Sequence, residues 1–301
     1  MTDDISPGRS PLTAEAGETS AVDGQREGAV ASTPVLSDRG ARRGRARVGR
    51  GIKGAIGVTF AVLAWEAARA TGLVAPFYAP SFLTIVGEIA QQFPDGPLTR
   101  AVLTTLHAWA LGLGIAVLLA VPSGFAVGLS YWADAASRVV VEFLRPIPSV
   151  ALIPVVILFA GLGLQMKLIL IVFACFWPLF FNSKYGVGHT DALLLETGRA
   201  FGRSQVRLVL EIVVPSALPS VATGVRIAAS IALILAVVAE MVAGGGGIGY
   251  FILANNMAGQ LPAMYAGILV VGLLGYAVNL AAMVVEGRLL AWSPDHRQGS
   301  R

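Results

Sequence analysis

Apolar runs of about 20 residues recur along this 301-residue chain, and they constrain its fold more than any other feature. A helix needs roughly 20 apolar residues to cross about 30 Å of hydrocarbon. Six segments read as spans, at about 54–74, 103–129, 149–163, 166–183, 219–243 and 263–285, the third of them short. The expected fold is therefore an all-α integral membrane protein with six transmembrane helices. The first segment is the weakest, because Glu66 and Arg69 interrupt it. They lie three apart on one helical face, where they can pair or reach the interface.

Composition agrees with this reading: 55% of residues are hydrophobic and only 13% charged, far from a soluble domain. Residues 1–50 are the exception. They are rich in Gly, Ser, Ala, Asp and Arg without apolar periodicity, and are expected to form a disordered cytoplasmic tail. Residues 51–292 would form the membrane domain, and 293–301 a short cytoplasmic tail. The basic cluster from Arg39 to Lys53 precedes the first span, so it reads as an orientation signal rather than a nucleic-acid site. The 50-residue tail is too long for a secretory signal, and a cleaved signal is the alternative reading. Lys and Arg concentrate in the N-tail, the 130–148 and 184–216 loops and the C-tail; the opposite loops hold Arg100 and Lys167 near span ends. That alternation places both termini in the cytoplasm of a multi-pass cell-membrane protein. The segment 82–93 carries an apolar stripe opposite Glu88, Gln91 and Gln92, giving a short helix lying on the outer face. Cys175 stands alone, so no intrachain disulfide can form.

The longest polar interruption between spans is Asp191–Pro215. Asp191, Glu196, Arg199, Arg203, Arg207 and Glu211 alternate there with Leu193, Leu194, Phe201, Val206, Leu208 and Leu210. Gly202 divides the stretch, and Pro215 is expected to end it, since proline cannot donate to a continuing helix. The pattern predicts two short amphipathic helices joined by a glycine turn. Periodicity alone leaves two readings: helices resting in the headgroups, or a docking surface.

The spacing from Glu196 to Gly202, and on to Ile212 and Pro215, resembles the EAA loop of ABC-importer permeases, the binding-protein-dependent inner-membrane family. Thr197 and Gly198 stand where that family has two alanines, and Val214 where it has leucine. The resemblance covers residues 75–292. It includes Pro215–Ser220 with Gly224-Val225-Arg226, Ala239-Glu240, and Gly247-Ile248-Gly249-Tyr250. Ala79-Pro80-Ser81 and Leu144–Pro148 look most like the nitrate/sulfonate/taurine branch. The resemblance implies a type I importer-like bundle in which two permease copies form the pathway. A dimer of ATP-binding cassette ATPases would sit below it and a solute-binding protein would dock outside. It makes residues 190–215 the coupling loop, carried by Asp191, Glu196, Arg199, Ala200, Phe201, Gly202, Arg203, Arg207, Ile212 and Pro215. Glu196 would cap or brace the first short helix. Phe201 and Leu208 would fill the ATPase groove, with Arg199, Arg203 and Arg207 ringing it. The substrate would be a sulfonate, taurine or nitrate, or in related branches a vitamin or its precursor.

The chain has no GxxxxGK[ST] sequence, so ATP and Mg would be bound by the partner ATPase and no cofactor by this chain. His107, His189 and His296 are scattered, which suggests neither a metal site nor an enzyme. The run Gly244–Gly247 reads as flexible outer backbone, not a phosphate loop. Two side chains have two readings each. Glu240 is a carboxylate reaching water at the outer end of its span, or a helix-interface or gate residue. Arg226 is a cytoplasmic-end anchor, or part of an inner gate. The competing function is a stand-alone ion-coupled carrier or channel, which needs ionisable groups at mid-membrane.

Overall fold

The computed structural model describes residues 39–75 and 77–290. The tails at 1–38 and 291–301 lie outside the described residues. Residues up to Val58 and those from Thr59 onward are separate units. The described part of the first unit is the start of α1 (Arg39–Ala70), which thus begins inside the segment expected to be disordered. The second unit is helical: α2 (Phe82–Gln92), α3 (Pro97–Leu129), α4 (Tyr131–Leu144), α5 (Ile153–Ala160), α6 (Leu164–Gly188), α7 (Ala192–Ala200), α8 (Gln205–Leu208), α9 (Val214–Ala243), α10 (Ile248–Met257) and α11 (Leu261–Leu289).

Four described helical stretches are long and apolar enough to cross a membrane: α3, α6, α8 through α9, and α11. The expected third span, 149–163, is not one straight helix. A 3₁₀ turn at Ser149–Leu152 leads into the eight-residue α5, and together they bend 77° from α4. Taken with α4 they can count as a fifth, broken span. The prolines explain the break. Pro146 and Pro148 have no backbone N–H to donate, so the helical hydrogen-bond ladder cannot run through them and α4 stops at Leu144, with Arg145 as its last helical-conformation residue. The stretch 130–148, expected as a loop, is accordingly mostly α4.

The centre is α6 packed between α3 and α9. Close approach is written into α3 as small residues four apart: Ala108, Gly112, Ala116, Ala120 and Gly124 are all buried. A Cβ at Gly112 would stand 2.6 Å from Ile171, and one at Gly124 would stand 2.6 Å from the Phe180 carbonyl. Such spacing lets helix backbones touch where lipid offers no hydrophobic drive to associate. On α9, Gly224 meets Asn182 of α6 in the same way.

The segment before α2 is tied to α1 by polar contacts. Glu66 and Arg69 pair at 2.5 Å, as their spacing predicts. Glu66 also accepts the Phe82 N–H (2.7 Å), while Arg69 donates to Ala79 O (2.7 Å) and Trp65 to Pro80 O (3.1 Å). Ser81 caps α2 by accepting the Thr84 N–H at 3.1 Å, and α2 packs on α11.

Candidate functional site

The loop leaving α6 folds into the helix–turn–helix that the sequence predicts. Asp191 caps α7, its carboxylate accepting the Leu193 N–H at 2.9 Å. Glu196, expected to cap or brace this helix, does not cap it and sits exposed in its middle. Its loss should therefore cost no cap, whereas Asp191→Ala should remove about 0.5–2 kcal/mol of helix stability. Gly202 turns the chain with φ +71°, the left-handed conformation glycine adopts freely. Ser204 then caps α8, accepting the Arg207 N–H at 3.5 Å.

A small core holds the two arms together. Gly198 is buried, and a Cβ there would stand 2.5 Å from Leu208 Cδ2 and 2.9 Å from Ile212 Cδ1. Glycine at this position thus admits Leu208, which is only 2% exposed. Leu208 fills the hairpin and is not presented to a partner, contrary to expectation. Leu195 continues this core into the bundle, packing with Val187, Val213, Ala217 and Phe125 of α3. Arg203 bridges the turn to Glu211 at 2.8 Å, so it braces the hairpin from the side. Both partners are about half exposed. Arg203→Ala should change thermal stability by less than about 1 kcal/mol, as a denaturation midpoint would report.

The second arm does not end at Pro215. Residues Val209–Val213 form a π-turn, and α9 begins at once, with Pro215 in its first turn. Proline is tolerated there because first-turn N–H groups have no intrahelical partner. The hairpin's second arm is therefore continuous with a membrane-crossing helix, α8 through α9. What remains outside the hairpin core is an apolar surface of Leu193, Leu194, Phe201, Val206 and Leu210, with Arg199, Ala200 and Arg207 exposed beside it. Phe201 is 80% exposed at the tip.

Further along α9, Arg226 donates to Asn279 Oδ1 at 3.1 Å and lies 3.8 Å from Glu286, both on α11. It ties the two helices together while staying partly exposed.

At the far end of α9, Glu240 does not reach water. It is fully buried, and Lys167 of α6 donates to its Oε1 at 3.1 Å. Oε2 takes the Gly249 N–H at 3.1 Å and lies 2.8 Å from the Thr105 hydroxyl of α3, which in turn accepts the Ile248 N–H at 2.9 Å. Lys167 donates again to the Gly246 carbonyl at 3.1 Å. Lys167, expected near a span end among loop charges, is itself only 2% exposed. Nor is the glycine run merely flexible backbone. Gly244–Gly247 all have φ between 69° and 100°, and the path they trace brings the Gly246 carbonyl to Lys167 and α10 against Glu240. A Cβ at Gly247 would fall 2.0 Å from the Glu240 carboxyl carbon. Six groups from α3, α6, α9, the glycine run and α10 thus close one satisfied polar network.

Among the described residues no group of three His, Cys, Asp or Glu side chains is arranged to hold a metal ion. The hairpin is self-packed and apolar outside, and its second arm runs on into α9.

Comparison with known proteins places the chain in a family. A family model described as the binding-protein-dependent transport system inner membrane component matches residues 112–290. The taurine transport system permease protein of Escherichia coli (strain K12) is 28% identical over 243 residues, covering 78% of this chain and 88% of the relative. A putative aliphatic sulfonates transport permease of Bacillus subtilis (strain 168) is 26% identical over 270 residues, covering 88% and 96%. The nitrate import permease protein of Leptolyngbya laminosa is 25% identical over 205 residues, covering 68% and 72%. Among solved structures, an inward-facing methionine ABC transporter, MetNI, superposes with a TM-score of 0.56 at 19% identity, covering 63% of this chain and 94% of that one, a likeness of fold alone. With more than half of its length matched, this chain belongs to the binding-protein-dependent transport system inner membrane component family, the permeases of ABC importers.

Proposed function

We propose that this permease carries a small solute bearing an oxyanion group: an alkanesulfonate, taurine or nitrate. The reading is supported by the taurine, sulfonate and nitrate permeases among its relatives. Two copies of the chain would form the pathway, crossing the membrane six times each with both termini cytoplasmic. The 190–215 hairpin would dock into a separate ATPase, and a solute-binding protein would deliver substrate to the opposite face. The observation that carries the coupling role is the hairpin itself: an exposed Phe201 tip on a body whose own core is closed by Gly198 and Leu208. Closure of the ATPase dimer would then move α9 directly, because the second arm and α9 are one continuous helical stretch.

Proteoliposomes holding the permease, the ATPase and the binding protein test the substrate reading. They should accumulate labelled taurine or alkanesulfonate only with ATP inside and loaded binding protein outside. Uptake that proceeds without the ATPase would instead identify a stand-alone carrier. Topology is tested separately with single cysteines in a Cys175→Ala background. An impermeant thiol reagent applied to intact cells should label Gln260→Cys, at the exposed α10–α11 turn, and leave Ser204→Cys untouched. Labelling at Ser204→Cys would place the hairpin outside and remove the coupling role.

A further inference from the structure

A second polar feature lies at the end of the bundle away from the hairpin. Thirty residues of α9 separate them, about 45 Å at 1.5 Å per residue. There the start of α3, the glycine run and α10 border an open pocket of about 500 Å³ lined by Asp95, Arg100, Thr104, Gly246, Tyr250 and Asn255, among others. That volume falls within the range of small-molecule sites. Asp95 and Arg100 both line it, yet among the described residues neither enters an ion pair, with the other or with a third group. Asn255 spends one amide N–H on the Phe251 carbonyl at 2.8 Å and keeps the other. Thr104 donates to the Arg100 carbonyl at 2.9 Å, which leaves its hydroxyl oxygen as an acceptor. One wall is fixed from behind, because the Gly246 carbonyl is held by the buried Lys167.

A guanidinium and a carboxylate that line one pocket and find no ion-pair partner among the described residues suit a ligand with both charges. The planar fork of Arg100 matches two oxygens of a sulfonate or carboxylate. Asp95 suits an ammonium, to which it can offer charge-assisted acceptors. A plain anion would gain Arg100 but sit near an uncompensated carboxylate; a plain cation would meet the reverse. We infer that this pocket is an outer-mouth binding site for a short zwitterion, its oxyanion on Arg100 and its ammonium on Asp95. The inference rests on the importer reading and deepens it, because it selects amino-sulfonates over simple sulfonates within the substrate class.

The test uses the whole permease–ATPase complex in nanodiscs, without binding protein, and two labelled probes: taurine, and ethanesulfonate, which lacks the amine. Taurine should bind at least tenfold more tightly. Asp95→Asn should lower taurine affinity to the level of ethanesulfonate while leaving ethanesulfonate unchanged or slightly improved. Arg100→Gln should weaken both probes tenfold or more. Both positions are exposed, so the variants should purify with the ATPase at normal stoichiometry. Absence of taurine binding to the unaltered complex would overturn the inference, as would an unchanged taurine-to-ethanesulfonate ratio in Asp95→Asn. Uptake driven by ATP and the binding protein, measured on the same preparation, separates the two claims. If uptake of a sulfonate persists while these binding results fail, only the pocket assignment falls. If no sulfonate is taken up, the substrate reading itself fails.

Discussion

Glu240→Ala should destabilise the permease by about 3–5 kcal/mol, the largest stability loss expected from any single substitution considered for this chain. The substitution leaves the Lys167 ammonium buried with only the Gly246 carbonyl, and it also strips the Gly249 N–H of its acceptor. Removing one partner of a buried ion pair costs far more than the pair contributes, because the remaining charge has no water to turn to. Replacing both, as Lys167→Met with Glu240→Leu, should therefore recover most of the loss. It should not recover all of it, since the buried Gly249 N–H is left without an acceptor. Thermal unfolding of the detergent-solubilised protein reads both effects. A loss under about 1 kcal/mol in Glu240→Ala would mean that the carboxylate reaches water as an exposed ion pair does.

Gly202→Val should abolish coupled transport while leaving the protein inserted. At φ +71° a residue with a Cβ costs roughly 1–2 kcal/mol, and a β-branched one is an outlier there. The obstacle is conformation and not crowding, because no atom lies within 4 Å of where the Cβ would be. The hairpin would relieve the strain by re-aiming its tip, and Phe201, adjacent to the turn, would move with it. Uptake should then fall toward background, and ATP hydrolysis should stop responding to loaded binding protein. Gly202→Asn should retain most activity, because asparagine enters the left-handed region readily. Gly72→Val supplies the matched control: its φ is 73°, its Cβ position is equally open, and it lies off the hairpin. Equal loss of coupling in both valine variants would show that the strain acts globally. Gly198→Ala, by contrast, should be mild, since the atoms it crowds are terminal methyls of Leu208 and Ile212 that can shift.

The contrast between these two sites marks what the sequence could reveal. The hairpin was legible because its signals are local. Gly202 turns the chain where it stands, and amphipathic spacing marks both arms, whereas Asp191 and Ser204 were not singled out as caps and Glu196 was expected in that role. Even there, Leu208 could not be told from its exposed apolar neighbours, since only packing against Gly198 decides which face is inside. The fate of Pro215 was equally hidden: a π-turn absorbs it, and no residue pattern announces a π-turn. The buried network is the opposite case. Lys167 and Glu240 are 73 residues apart, and each alone looks like a charge near a span end. The one local hint was the run of four glycines, residues free to take positive φ; the structure shows all four doing so along a fixed path. The short α10 was missed because a ten-residue apolar segment after glycines reads as the margin of a span. The bend after α4 had its signal in Pro146 and Pro148, but the apolar run beyond them masked it.

The central claim is that the 190–215 hairpin meets a separate ATPase on the cytoplasmic side, and one crosslinking measurement addresses it directly. Phe201→Cys, in a Cys175→Ala background, puts a single thiol on the most exposed apolar point of the hairpin tip. In membranes containing the full transporter, a short bifunctional thiol reagent should join this position to the ATPase, and ATP should change the yield as the ATPase dimer closes. The same thiol should resist impermeant reagents applied to intact cells. A Phe201→Cys site that is labelled from outside, and that yields no ATPase crosslink in the assembled complex, would contradict the account.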